Sequence, residues 1–451
     1  MKGDLTMLSA VQSAEAIREG KLTSEALVSQ YLARTEQGEP TVKAWVAISR
    51  EHALQQARDA DRVRRAGRAT GPLHGVPVGV KDIIDTADLP TQRGSSIFED
   101  RQPDRDARMI ERLREAGAVL MGKTATTEMA YMHPAATTNP HDTARTPGGS
   151  SSGSAAAVAA RHVPLAIGTQ TGGSVVRPAA FCGTYGFKPT RGVISRGGVF
   201  RTSASLDQIG VFANTLEDAA LLTDVLGCYD QTDPASFARP RPDILRGARS
   251  DAPVEPDIAW FDLPYHGRLD SDAAEGLEQV IDALGDRVER FATAPQLAGL
   301  TDIHKIIYDY EIAANMAEIE AVHSAKLSNE MTDAIRRGRA ISRSEYEDAL
   351  DVKLSADSFF KSHFNDFDAI LAPSSTGEAP PLAHGNTGDS VFCLIWTLAG
   401  LPSLTLPLLV GENGLPIGVQ LIGGIEEDDR LFRTANWMQT YLAQSAEEEG
   451  D

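Results

Sequence analysis

The chain has 451 residues and a formal net charge of −20, from 43 basic and 63 acidic side chains. That balance argues against a nucleic-acid or anionic-membrane footprint, and the length allows one large domain, or two to three ordinary ones, with a substantial core. Three cysteines without paired spacing fit a reducing compartment with no disulfide framework, and ten histidines without a His-Glu-x-x-His cluster predict no metal site and no cofactor.

The first nine residues have no apolar h-region and no small-residue cleavage site, so no signal peptide is expected. The longest apolar run, Leu398 to Gly411, is broken by Pro402 and Pro407 and is too short to span a bilayer. A soluble, cytoplasmic protein is expected.

Residues 9 to 65 read as helices. Thr23-Ser24-Glu25 offers a hydroxyl and an acid at a helix start, and Leu27, Val28, Tyr31 and Leu32 recur at helical spacing. Val76, Val78 and Val80, then Ile83 and Ile84, predict a buried strand or strand pair in residues 73 to 86. Lys81 lies among them. Its apolar flanks would desolvate it and lower its pKa, which suits a general base. Asp106 to Gly117 reads as a helix with a glycine C-cap, followed by a strand at Ala118 to Gly122. An Ala-rich helix at 154 to 161 and an apolar run at Val163 to Ile167 repeat that order, the pattern of an α/β sheet covered on both faces. Short strands and turns follow to Gly210, with Arg177 and Asp207 expected as a buried structural ion pair. Leu216 to Leu226 reads as a helix, and the proline-rich stretch 229 to 256 as a loop. Then come a strand at Asp257 to Phe261, an amphipathic helix at 271 to 285 and charged helices at 302 to 362. The rest reads as a strand at Phe367 to Ala372, a long loop at 373 to 390, a helix at Phe392 to Ala399, strands at Leu404 to Leu409 and Ile417 to Ile422, a last helix at Arg430 to Leu442, and a frayed acidic tail at Ser445 to Asp451.

Two glycine pairs each run straight into a serine, at Pro147-Gly-Gly-Ser150 and Thr171-Gly-Gly-Ser174, with the serines 24 positions apart. Without a Cβ the backbone can take positive φ and approach a ligand closely. Consecutive N–H groups at such a turn can converge on an oxyanion. A Gly/Ser linker would not lie between Ala-rich and Val/Ile-rich stretches. No Lys-Ser or Lys-Thr pair ends either loop, so the phosphate-binding pattern fails. No histidine stands with a Gly-x-Ser-x-Gly frame either, which disfavours an α/β-hydrolase triad.

Together with Gly75-Val-Pro-Val-Gly-Val-Lys81-Asp82, the two turns resemble the signature of the amidase signature family, serine hydrolases with a Ser–cis-Ser–Lys triad. The resemblance runs from about Ser9 to Leu442 and is weakest between about 228 and 390. It implies one domain over residues 1–451, an α/β fold with a central mixed, mostly parallel twisted sheet covered by helices on both faces. Within it lie N-terminal helices (about 9–65), a signature core (about 70–225), a variable substrate-funnel region (about 228–390), and C-terminal strands and a helix (about 391–442). It also implies Ser174 as nucleophile, Ser150 after a cis peptide bond as proton relay, and Lys81 as base. The N–H groups of Thr171, Gly172, Gly173 and Ser174 would hold the oxyanion. Met129, Tyr131, Gly148, Gly149, Gln208 and Trp396 are candidate substrate contacts. Gln170 stands where many relatives carry Asp, a departure beside the turn and outside the triad.

The expected activity is hydrolysis of the C–N bond of small aryl or alkyl amides, with carbamates (urethanes) and esters as further substrates. No cofactor, nucleic-acid partner or membrane partner is expected, and the chain would act as a monomer or homodimer. The alternative is the A subunit of a glutamine-dependent tRNA amidotransferase, active only with partner subunits. The intact Lys81, Ser150 and Ser174 disfavour a non-catalytic binding protein on the same scaffold.

Overall fold

Eleven strands build one sheet in a computed structural model that describes residues 3–292 and 295–450. Met1 and Lys2, where no signal peptide is expected, and Asp451, the end of the expected acidic tail, lie outside the described residues. The strands are β1 (Trp45–Ile48), β2 (Pro77–Lys81), β3 (Val119–Thr124), β4 (Leu165–Gln170), β5 (Tyr185–Lys188), β6 (Gln208–Ala213), β7 (Ile258–Phe261), β8 (Val288–Phe291), β9 (Ala369–Pro373), β10 (Ser403–Val410) and β11 (Pro416–Ile422). They lie in the order β1-β3-β2-β4-β6-β5-β10-β11-β9-β7-β8.

Side-chain alternation explains why both faces are covered. On β3, Leu120 packs with Met109, Ile110 and Leu113 of the helix Arg108–Glu115. Its neighbours Val119 and Met121 pack on the other face with Leu27 and Val28 of the helix Ser24–Val42 and with the alanines of the helix Ser152–Ala159. Every residue of β2 and of β4 is buried, as for central strands with helices on both sides. The sheet is mixed, as expected, but less parallel than expected. Among the described residues four of its ten pairings are parallel and six antiparallel. Parallel neighbours need a long crossover. Such crossovers join β2, β3 and β4, and β7 to its neighbours β8 and β9. The hairpin β10–β11 needs only a turn.

The edge strands β1 and β8 were not foreseen. Each has only four residues with partly exposed side chains, too short to show a period. The expected loop 229–256 contains a helix, Ile244–Arg249. Asp224 accepts from the N–H groups of Ile244 and Leu245 there, a tertiary cap invisible to local pattern. The last helix, Asp428–Gly450, runs on from Leu442 into the expected frayed tail as far as Gly450. Among the described residues no helix is long and apolar enough to cross a membrane.

One feature positions the site. Strands β2 and β4 are parallel neighbours, with Val80 opposite Ile167. Lys81 therefore ends one strand beside the place where β4 ends and the turn at 171–174 begins. Carboxyl ends of parallel strands are where open α/β sheets bind ligands.

Candidate active site

Lys81 is fully buried, and among the described residues its Nζ bonds only to hydroxyls: Ser150 Oγ at 2.7 Å, Ser151 Oγ at 3.0 Å and Thr169 Oγ1 at 2.7 Å. Burial holds its pKa well below the usual 10.5, with the more distant charge of Asp207 opposing the shift. A neutral amine has two protons and a lone pair. Ser151 donates its own proton to Thr169 O at 3.2 Å, so it accepts from Lys81. The lone pair is then available to the Ser150 hydroxyl.

A base must be unprotonated to work. Protonation of Lys81 on the acid side should therefore lower kcat/KM for an amide, and raising the pH through its depressed pKa should restore it. The rising limb of the kcat/KM profile is expected well below pH 10.5. A plateau reached only near that pH would contradict the burial argument.

Ser150 is buried, and the Gly149–Ser150 peptide bond is cis. Gly148 has a φ of +83°, and a Cβ there would come within 2.8 Å of Pro178 Cα, so this approach to Ser150 needs glycine. The guanidinium of Arg177 holds it from behind, donating to Gly149 O at 2.7 Å, Thr387 Oγ1 at 3.0 Å and Gly388 O at 3.0 Å. The expected ion pair of Arg177 with Asp207 does not form. Arg177 satisfies carbonyl and hydroxyl oxygens instead. Asp207 accepts from Thr171 Oγ1 at 2.6 Å, from Thr202 N and Oγ1 at 2.8 and 2.9 Å, and from Ser203 N at 2.9 Å. Burial raises the pKa of Asp207 and lowers that of Arg177.

Ser174 is half-buried on the turn between β4 and the helix Val176–Cys182. Its hydroxyl bonds to nothing among the described residues, and neither do the N–H groups of Thr171, Gly172, Gly173 and Ser174. Gln170 braces the turn. Its Oε1 accepts from Val175 N at 2.8 Å and Val176 N at 3.1 Å, and its Nε2 donates to Thr397 Oγ1 at 2.9 Å. An aspartate at this position could accept but not donate.

The structure thus joins Lys81 to Ser150 and sets the Ser174 turn on the adjacent strand. Gly148 and Gly149, two of the candidate substrate contacts, lie directly before Ser150. The other candidate contacts are occupied elsewhere. Gln208 accepts from Lys188 Nζ at 2.7 Å and donates to Thr397 O at 2.9 Å, which makes it a brace between β6 and the helix Val391–Leu398. Met129 is fully buried in an apolar cluster with Ile312, Met316 and Met331. Tyr131 joins that cluster, accepts from Arg337 at 3.0 Å and packs edge-on to Tyr308 at 5.6 Å. Trp396 is fully buried beside Phe360.

Four side chains around the site were missed. Ser151 and Thr169 carried a signal: one follows Ser150 directly, and the other shares a strand face with Thr171. His304 and Thr397 carried none, because they reach the turn from 133 and 225 positions away.

A family profile described as Amidase matches residues 26–432. A curated relative, the A subunit of the glutamyl-tRNA(Gln) amidotransferase of Natranaerobius thermophilus, is 32% identical over 96% of both chains. A solved structure, described as a vestigial protein complex that reveals the evolutionary origins of an s-triazine catabolic enzyme, superposes with a TM-score of 0.90 at 27% identity, over 96% of this chain and 98% of that one. The native peptide amidase of Stenotrophomonas maltophilia superposes with a TM-score of 0.82 at 28% identity, over 96% of each chain.

Proposed function

This chain belongs to the amidase family, and from that premise we propose that it opens amide C–N bonds by transferring the acyl group to Ser174. The Ser174 oxygen attacks the carbonyl carbon as its proton passes to Ser150 and the Ser150 proton passes to neutral Lys81. The free N–H groups of the 171–174 turn receive the negative oxygen. The relay then returns a proton to the leaving nitrogen, the C–N bond breaks, and an acceptor takes the acyl group from Ser174. The observation that carries this reading is a fully buried lysine whose hydrogen-bond neighbours among the described residues are all hydroxyls. A serine-directed fluorophosphonate is expected to leave its adduct on Ser174 by mass spectrometry. An adduct on another serine would overturn the assignment.

Two roles fit this chemistry, and in both water takes the acyl group from Ser174. As the A subunit of a glutamine-dependent tRNA amidotransferase, the chain would release ammonia from glutamine for use with partner subunits, and water would free the glutamyl group from Ser174 as glutamate. That reading has the stronger sequence support, because the curated relatives carry that name over nearly their whole length. As a free-standing hydrolase, it would pass the acyl group of a small amide, carbamate or ester to water. The side chains nearest to Gly172 and Gly173 suit a small neutral amide: Ser390, Cys393, Leu394 and the neutral ring of His304. The purified chain decides between them. Turnover of aryl and alkyl amides by the chain alone supports the hydrolase. Glutamine hydrolysis that appears only when partner subunits are added supports the amidotransferase.

A further inference from the structure

In a trans peptide the C=O and the following N–H share a plane and point in opposite directions. Fixing the carbonyl of Thr171 therefore fixes the N–H of Gly172, and fixing the carbonyl of Gly172 fixes the N–H of Gly173. Glycine has wide φ/ψ freedom, so little within the turn itself stops these planes from rotating.

Both carbonyls are held from outside. His304, on the helix Leu300–Asn315, places Nε2 2.7 Å from Thr171 O. A carbonyl only accepts, so that nitrogen carries the proton. The ring is buried, and burial pushes its pKa down to about 4, which keeps it neutral. Thr397, on the helix Val391–Leu398, places Oγ1 2.7 Å from Gly172 O, closer than its own helix carbonyl, Cys393 O, at 2.9 Å. The same oxygen accepts from Gln170 Nε2 at 2.9 Å, so its proton is left for a carbonyl. The third plane is fixed by the main chain, where Arg177 N donates to Gly173 O at 3.0 Å. The helix Val391–Leu398 lies hard against the turn, since a Cβ on Gly173 would come within 2.8 Å of Ser390 Cβ and 3.0 Å of Cys393 Sγ.

We propose that His304 and Thr397 are positioning residues that aim the Gly172 and Gly173 N–H groups at the acyl oxygen, which rests on the reading of Ser174 as the nucleophile. The oxyanion hole is then assembled by two helices from outside the signature core, and the turn alone does not define it. His304 lies in the stretch where the family resemblance is weakest, so that stretch acts on the chemical step as well as on substrate choice.

The test replaces each donor with an apolar side chain, His304→Leu and Thr397→Val. Loss of one oxyanion donor costs about 10²–10³-fold in kcat, so a misaimed donor should cost at least about tenfold. KM should stay close to wild type, because the interaction is made in the transition state. Affinity for phenylboronic acid, which forms a tetrahedral anionic adduct on the nucleophile, should fall in step with kcat, while inhibition by benzoate should not. Thr397→Ser should recover kcat, and His304→Gln should recover part of it. Wild-type kcat in both apolar variants overturns the proposal. So does a fall in which boronate and benzoate weaken together, which marks a general loss of structure. Thr397→Val is isosteric and decides the matter if His304→Leu does not fold. Failure of the wild-type chain to be labelled at Ser174 would instead overturn the acyl-transfer reading beneath it.

Discussion

Ser174→Ala is expected to lower kcat for any amide substrate by about 10⁴–10⁶-fold, the range seen when a serine hydrolase loses its nucleophile, while leaving the fold intact. The neighbouring serines explain why no other residue should substitute. Ser152 donates to Gly148 O at 2.8 Å, and Ser154 donates to Ile167 O at 2.9 Å. Ser151 is tied to Thr169 and to Lys81. All three are buried. Ser174 is half-buried with a hydroxyl that bonds to nothing among the described residues, so its removal forfeits no structural hydrogen bond. A large loss of activity should therefore come with a nearly unchanged melting temperature. Activity above about a hundredth of wild type in Ser174→Ala would return the nucleophile to one of the other serines.

What the sequence made legible follows from how each feature is encoded. Lys81, Ser150 and Ser174 sit in short local patterns, and the two Gly-Gly-Ser turns show themselves without any fold. The central strands were readable because β2 and β4 are buried along their whole length and carry apolar runs up to Val80 and Ile167. The edge strands were not, because four half-exposed residues carry no period. The partner of Arg177 was misread for a related reason. A buried arginine suggests a carboxylate, but carbonyl oxygens leave no mark in a sequence, and Arg177 uses two of them.

The stretch from 228 to 390 shows the same limit on a larger scale. Its charged helices read only as part of a variable substrate-funnel region, yet single side chains bind the signature core. Glu311 accepts from Ser205 N at 3.0 Å and from Ser203 and Ser205 hydroxyls, and Asn315 donates to Thr202 O at 2.9 Å. His304 reaches the Thr171 carbonyl. On the helix, positions 304, 311 and 315 follow the spacing of one face. A polar face pointing inward has the same period as one pointing to water, so periodicity alone could not separate them.

Lys81→Met is expected to harm amide cleavage more than cleavage of an activated ester. Methionine nearly keeps the volume of the side chain, so the buried site should still pack. The difference lies in the leaving group. An amine leaves poorly unless its nitrogen gains a proton as the C–N bond breaks, and that proton must come back along the Ser150–Lys81 relay that took it from Ser174. A nitrophenolate leaves without a proton, so its ester needs the relay only to activate Ser174. Positioned acid–base help is worth about 10²–10⁴-fold per proton transfer. The ester should lose that factor once and the anilide twice, so the ratio of the two kcat/KM values should fall by about 10²-fold or more. Matched anilide and nitrophenyl ester substrates measure it directly. Equal losses on both would show that Lys81 activates Ser174 without protonating the leaving group. Wild-type rates on both would remove Lys81 from the chemistry and leave its three hydroxyl contacts as a purely structural knot.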